Sequence, residues 1–345
     1  MRLIHRLSSC ATALVVGLLA LAPRADAAPS SELCFAVGLR GGVAQICNDV
    51  YENPNALPSG GTLYAVHGLT ETAAAWGPFV DALFADEQVG KFVSRVIAVD
   101  LPGHGDSPPP VGLPGGLFGE LLIDDNISVI LQSIGILNAQ GFAVHSVVGH
   151  SMGGLALQGA QEALLAQGSS FADLGVRHAI LIAPVPVASS QWTQPPNADL
   201  TPFIITDPAL GTFLALPPIA FQLGGSFRTT SGALIPNLPS LATLTPMVGV
   251  EPIAALLQLV GLLPIPRPDA RQGAFAPRNA TELTLVSFSE DILTPAVDQG
   301  ILYQYLVGLP NVRYRPVVAP DAVHGMFISN PEAVVDALRT PPYPF

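Results

Sequence analysis

The sequence predicts a doubly wound α/β protein, a mostly parallel sheet with helices on both faces, carrying a helical, proline-rich insertion. Three observations predict it. From Thr62 onward, short runs rich in Val, Ile and Leu alternate with longer helical segments, the pattern of parallel strands joined by crossover helices. Of 345 residues, 49% are hydrophobic and 12% charged, so the chain can fill one large core with an insertion, or at most two domains. The glycines follow no triplet and the apolar positions no sustained heptad, which excludes fibres and coiled coils. With 14 Lys and Arg against 26 Asp and Glu, the net charge is −12, and binding to a nucleic-acid backbone is not expected.

Residues 1–27 read as a secretory signal peptide. Arg2 and Arg6 lead into an apolar stretch from Cys10 to Ala22, then Pro23 and the small-residue site Ala25-Asp26-Ala27. The run is too short to span a bilayer, which takes roughly 20 apolar residues, and no stable membrane span is expected in the mature chain. Secretion or a periplasmic location follows, and the domain boundaries become 28–183 and 281–345 for the core, with 184–280 as a cap or lid.

Two cysteines remain after the leader, Cys34 and Cys47, in a compartment that permits oxidation. They flank Arg40-Gly41-Gly42, a turn signal between two β-type runs. If the loop is Arg40-Gly41, counting outward sets Cys34 opposite Cys47 at a non-hydrogen-bonded pair, where Cα atoms lie about 4.5 Å apart, close enough for a disulfide. The alternative is two buried free thiols, and a turn shifted by one residue weakens the argument for a bridge. No partner histidine or motif marks either cysteine as catalytic.

The elements then follow in order. Thr62–Val66 reads as a buried strand ending in His67-Gly68, Trp76–Phe84 as a helix, and Val93–Val99 as the next strand, closed by Asp100-Leu101-Pro102-Gly103-His104-Gly105. A helix around Leu121–Leu137, the strand Val144–Val148 and a helix from Gly153 to Gln167 come next; His178–Ile182, Thr284–Phe288 and Val312–Val318 complete the strands. Between Pro184 and Ala280 the alternation breaks. This segment holds 16 of the 34 prolines and 8 charged residues, with an apolar run at Ile253–Val260. A structureless loop of that length is not expected inside a domain, so it reads as an insertion with its own helices. Lying between two core strands, it would cover the crevice at their carboxyl ends, where open α/β sheets bind ligands. Its apolar character implies an apolar portion in the substrate.

The chemistry is announced by Gly149-His150-Ser151-Met152-Gly153, a G-x-S-x-G sequence between a Val-rich strand and an Ala-rich helix. A strand turning at once into a helix forces the serine into strained backbone geometry, and bulky neighbours would collide there. The turn lifts Ser151 Oγ off the sheet and aims the Met152 amide and the helix N-terminus at the point where an oxyanion develops.

These residues resemble the α/β-hydrolase superfamily, and the resemblance covers nearly all of the mature chain. His67-Gly68-Leu69 is similar to that family's oxyanion loop, Asp100–Ser107 to the loop after the following strand, and Ser151 occupies the nucleophile position. The family's order is nucleophile, acid, histidine. Ser289–Pro295 matches the acid loop and Asp321–Phe327 the histidine loop, which implies Ser151, Asp291 and His324 as the catalytic residues and the amides of Leu69 and Met152 as the oxyanion hole. In those roles Ser151 attacks a carbonyl carbon, His324 takes and returns the proton, and Asp291 orients the imidazole. No metal or organic cofactor is called for.

Glu290 is the alternative acid, but the spacing to Pro295 favours Asp291, and no carboxylate stands near Ala183. His67 and His150 read as loop supports, His104 and Asp106 as turn-shaping residues, and Asp321 as a loop residue. The sequons at Asn126 and Asn279 carry meaning only in a host that glycosylates. Dehalogenase and epoxide-hydrolase relatives have Asp where this chain has Ser151, so the expected activity is a serine carboxylic-ester hydrolase of esterase or lipase type acting on a small hydrophobic ester. A carbon–carbon hydrolase or lactonase using the same residues, and a non-catalytic binder of apolar ligands, are the alternatives.

Overall fold

Strand β1 (Ser31–Leu39) turns directly back into β2 (Gly42–Glu52). Arg40, in the connection, has φ 39°, as the first residue of a twist-matched two-residue hairpin turn requires. This register sets Cys34 opposite Cys47 with Cα atoms 4.1 Å apart, and a disulfide joins them. In this computed structural model the described residues are 28–40, 42–111, 118–185, 201–259, 280–295 and 312–339. The expected leader at 1–27, Gly41 of the turn, the sequon residue Asn279 and parts of the expected cap (186–200 and 260–279) lie outside them.

Strands β3 (Gly61–Val66), β4 (Val93–Val99), β5 (Val144–His150), β6 (His178–Ile182), β10 (Glu282–Phe288) and β11 (Val312–Val317) join the hairpin in one sheet, ordered β1-β2-β4-β3-β5-β6-β10-β11. Pairing is antiparallel at β1–β2 and β2–β4 and parallel from β4 through β11. The chain steps from β3 to β4 in one direction and then places β5 on the other side of β3. That reversal opens the crevice of an open α/β sheet between the ends of β3 and β5.

The helices are α1 (Gly77–Ala85), α2 (Ile123–Ala139), α3 (Met152–Ala166), α4 (Pro218–Leu223), α5 (Leu241–Leu244), α6 (Ile253–Leu259), α7 (Met326–Ser329) and α8 (Pro331–Leu338). The start of α2 is written in its sequence: the Asp125 carboxylate accepts the Leu122 N–H at 2.8 Å, and Asp124 and Asp125 lie at the positive end of the helix dipole. Asn126 is buried within α2, which removes it as a glycosylation acceptor.

Strand side chains alternate between two apolar layers, as their period of two dictates. Tyr64, Val66, Ile97, Val99 and Val147 pack with Ile130 and Ile134 of α2 and Leu155 of α3. Leu63, Ala65, Val96, Ala98 and Val148 pack on the opposite face with Phe79 and Leu83 of α1 and Val334 and Leu338 of α8. Each large side chain buried this way contributes roughly 1.5–3 kcal/mol relative to exposure, and the sheet is thereby held from both sides.

Between β6 and β10 the chain forms the short helices α4, α5 and α6 and, beyond the helices expected of it, a three-stranded antiparallel sheet of β7 (Ile204–Asp207), β8 (Gly211–Ala215) and β9 (Val250–Pro252). This segment is tied to the core at separate points. Gly119 N–H donates to Leu210 O at 2.7 Å, Ile123 N–H to Gln258 Oε1 at 2.7 Å, Gly325 N–H to Ser226 O at 2.7 Å, and Thr72 N–H to Met247 O at 3.0 Å. Thr72 follows β3 and Gly325 follows β11, so the segment lies against the side where the parallel strands end.

Candidate active site

Ser151 stands at the junction of β5 and α3 with φ 49° and ψ −116°, a backbone region that L-residues enter at a cost of about 1–3 kcal/mol and keep only where the surroundings fix it. Its N–H donates to Ile182 O at 3.0 Å, and its carbonyl accepts from Val185 N–H at 3.1 Å. The tight packing explains the flanking glycine: a Cβ on Gly153 would lie 2.4 Å from Val66 O and 2.5 Å from His67 O. The sequence-level reason for small residues at this elbow therefore has a specific wall behind it, the end of β3.

Asp291 and His324 are brought together. His324 Nδ1 lies 2.8 Å from Asp291 Oδ2, with both residues almost fully buried. The other carboxylate oxygen, Oδ1, accepts Leu293 N–H and Thr294 N–H, each at 2.8 Å, and the Thr294 hydroxyl donates to Oδ2 at 2.7 Å. Four hydrogen bonds thus fix the carboxylate's orientation. Burial works against a charged His324, but the charge of Asp291 and its hydrogen bond, with the charge of Glu71 behind them, outweigh it and raise the ring above its ordinary pKa. Glu290 turns to the surface, where its carboxylate accepts the Thr230 N–H and hydroxyl.

His150, beside Ser151 in the chain, packs on His324. The two rings lie tilted by 49° with centroids 4.6 Å apart, and His150 Nε2 lies 3.0 Å from the His324 carbonyl oxygen. Among the described residues no hydrogen bond joins Ser151 Oγ to the His324 ring; such contacts commonly tighten only when substrate is bound.

The loop after β3 runs beside the elbow. A Cβ on Gly68 would sit 3.1 Å from Ser151 Cβ and 2.9 Å from Glu71 Oε2, so a side chain there would crowd Ser151 and displace the Glu71 carboxylate. Gly68 N–H donates to Glu71 Oε2 at 2.7 Å, Thr70 N–H to Glu251 Oε2 at 3.1 Å, Thr72 N–H to Met247 O at 3.0 Å and Ala73 N–H to Asp100 Oδ1 at 2.7 Å. Among the described residues the Leu69 amide has no acceptor, and neither has the Met152 amide in the first turn of α3. These are the two amides that the sequence singles out.

Three further histidines, His67, His104 and His150, support the loops around the site. His67 Nε2 accepts Leu101 N–H at 3.1 Å, so its Nδ1 is the nitrogen that donates to Gly68 O at 2.8 Å. Burial first, then the neighbouring His104, hold His67 well below its ordinary pKa. His104 Nε2 pairs with Glu251 Oε2 at 3.1 Å; burial opposes its charge, but the Glu251 carboxylate raises its pKa overall. His150 Nδ1 lies 3.0 Å from Glu71 Oε1. Sequence reasoning missed Glu71, Glu251 and Thr294. Glu71 stands three residues after Gly68, a spacing suited to capping that amide, and Glu251 is one of few charges in an apolar segment; both signals were there to read.

A family model described as the alpha/beta hydrolase family matches residues 63–337. Among solved structures, a bromoperoxidase from Bacillus anthracis is similar at 15% identity and TM-score 0.59, covering 89% of this chain and 98% of that one. A thermophilic esterase from Thermogutta terrifontis is similar at 16% identity and TM-score 0.53, covering 90% and 97%. An N-acyl homoserine lactonase is similar at 17% identity and TM-score 0.51, covering 89% and 94%. At such identities the likeness is one of fold. No curated protein matches the sequence.

Proposed function

The chain belongs to the alpha/beta hydrolase family, and from that premise we propose that it is a secreted serine hydrolase that cleaves carboxylic esters of hydrophobic substrates through an acyl-enzyme intermediate. The observation that carries this reading is the 2.8 Å contact between His324 Nδ1 and Asp291 on a ring packed at a tilt against the residue that precedes the strained Ser151. That contact fixes the tautomer: Nδ1 holds its hydrogen toward the carboxylate, and Nε2 is left to act as base.

The steps follow from charge and proton flow. Ser151 Oγ attacks the ester carbonyl carbon while His324 Nε2 takes its proton. The oxyanion receives the Leu69 and Met152 amides, and each donor of this kind supplies about 2.7–4 kcal/mol in the transition state. His324 returns the proton to the leaving alcohol. Water, deprotonated by the same nitrogen, then releases the acid. The apolar segment between β6 and β10 favours a hydrophobic acyl or alcohol portion, and the Cys34–Cys47 disulfide fits the exported location that the leader implies.

The test is turnover of p-nitrophenyl esters of increasing chain length by the mature protein, alongside labelling with a fluorophosphonate. Labelling with ester turnover is the expected result. Labelling without turnover would transfer the reading to a lactone or carbon–carbon substrate, and the absence of both would leave a binder of apolar ligands.

A further inference from the structure

The loop carrying the Leu69 amide is built partly by the segment between β6 and β10. Thr70 has φ 57°, a conformation that a β-branched residue rarely adopts. It is pinned on both sides by one short stretch: Gly249 N–H donates to Thr70 O at 2.7 Å, and Thr70 N–H donates to Glu251 Oε2 at 3.1 Å. Val248 bridges to Glu71, and the Thr72 hydroxyl donates to Pro246 O at 2.7 Å. Residues 246–251 therefore run along residues 70–72.

Glu251 is fully buried, and its Oε2 receives the Thr70 amide and also His104 Nε2, 3.1 Å away. Its other oxygen, Oε1, is buried without a partner among the described residues. A carboxylate placed so deep with one oxygen unsatisfied is costly to the fold, and such local costs gather where backbone geometry serves function. His104 in turn packs at a tilt against His67 with ring centroids 4.8 Å apart, and His67 holds the Gly68 carbonyl. The titratable groups around the contact are thus His104, His67, Glu71 and Asp100.

We propose that Glu251 is a positioning residue for the oxyanion hole: by fixing Thr70 at its positive φ it keeps the preceding Leu69 amide unpaired and held for the substrate's oxyanion. The inference rests on the serine-hydrolase reading above. It makes the 246–251 stretch a fixed part of the catalytic apparatus, so any opening of the insertion occurs elsewhere along it.

Glu251→Gln and Glu251→Ala separate hydrogen bonding from charge, because a Gln carbonyl at the Oε2 position still accepts from Thr70 and His104. Misplacing a catalytic group by about 1 Å costs on the order of 100-fold. Glu251→Ala is therefore expected to lower kcat on a p-nitrophenyl ester by roughly that factor with KM little changed, and to lose affinity in parallel for a trifluoromethyl ketone, whose adduct carries an oxyanion. Glu251→Gln is expected to stay close to wild type. Should the Ala variant not fold, Glu251→Asp, which withdraws the acceptor by one methylene, is expected to give the same kcat loss. Unchanged kcat and inhibitor affinity in Ala or Asp, a loss confined to KM, or a Gln variant as impaired as Ala would overturn the inference while wild-type labelling by the fluorophosphonate still stands. A wild type that does not label overturns the serine-hydrolase reading and this inference together.

Discussion

Asp291 receives hydrogen bonds from two backbone amides, a threonine hydroxyl and His324, so its position is set by its own loop before the imidazole arrives. The raised pKa of His324 follows mainly from that neighbour overcoming burial. The sign of the pH effect is direct: a base must be neutral, so kcat/KM rises as pH climbs through a value above the ordinary histidine pKa of about 6.5. Asp291→Asn removes the charge and allows the wrong tautomer. The variant should lose activity by roughly 10⁴-fold, and the pH–rate profile of what remains should shift to lower pH; a profile unmoved from wild type would contradict the assigned role. At this scale the Asp291–His324 pair and the strained turn at Ser151 were legible because each stands in a recognisable local motif. Glu251 stood out only as a rare charge in an apolar segment; its role was not legible, since its partners Thr70 and His104 lie 181 and 147 residues away and no local pattern announces so distant a contact.

The elements were legible in proportion to their length. Strands such as Val93–Val99 and Val144–His150 show by short, buried Val-rich runs, Val96–Val99 and Val147-Val148, and α2 shows by its period and its acidic first turn. Strand β9, three residues long, pairs with β8 across a gap in which two short helices intervene. No period of two can be read from so few residues, which is why that small sheet was missed. The hairpin was readable from its turn, and the register places Cys34 opposite Cys47. Closing a loop of this size is worth about 3 kcal/mol in the unfolded chain. Reduction should accordingly lower the melting temperature by several degrees, read by calorimetry with and without reductant, while ester hydrolysis at low temperature persists. An unchanged melting temperature would mean that the hairpin is held by its strand pairing alone.

Taken whole, the molecule brings Ser151, Asp291 and His324 to one end of a parallel sheet, where the segment between β6 and β10 is tied to several of the loops. Ser226 meets Gly325 beside His324, Thr230 meets Glu290 beside Asp291, and Met247 through Glu251 meet the loop of Leu69. Among the described residues no helix is long and apolar enough to cross a membrane. Whether Ser151 is the nucleophile is read by intact-protein and peptide mass spectrometry after fluorophosphonate treatment of wild type and Ser151→Ala. One adduct on Ser151, formed in step with the loss of esterase activity, is expected, and neither adduct nor activity in the variant. Ester turnover that survives Ser151→Ala, or a stoichiometric adduct on another residue, would contradict that role for Ser151.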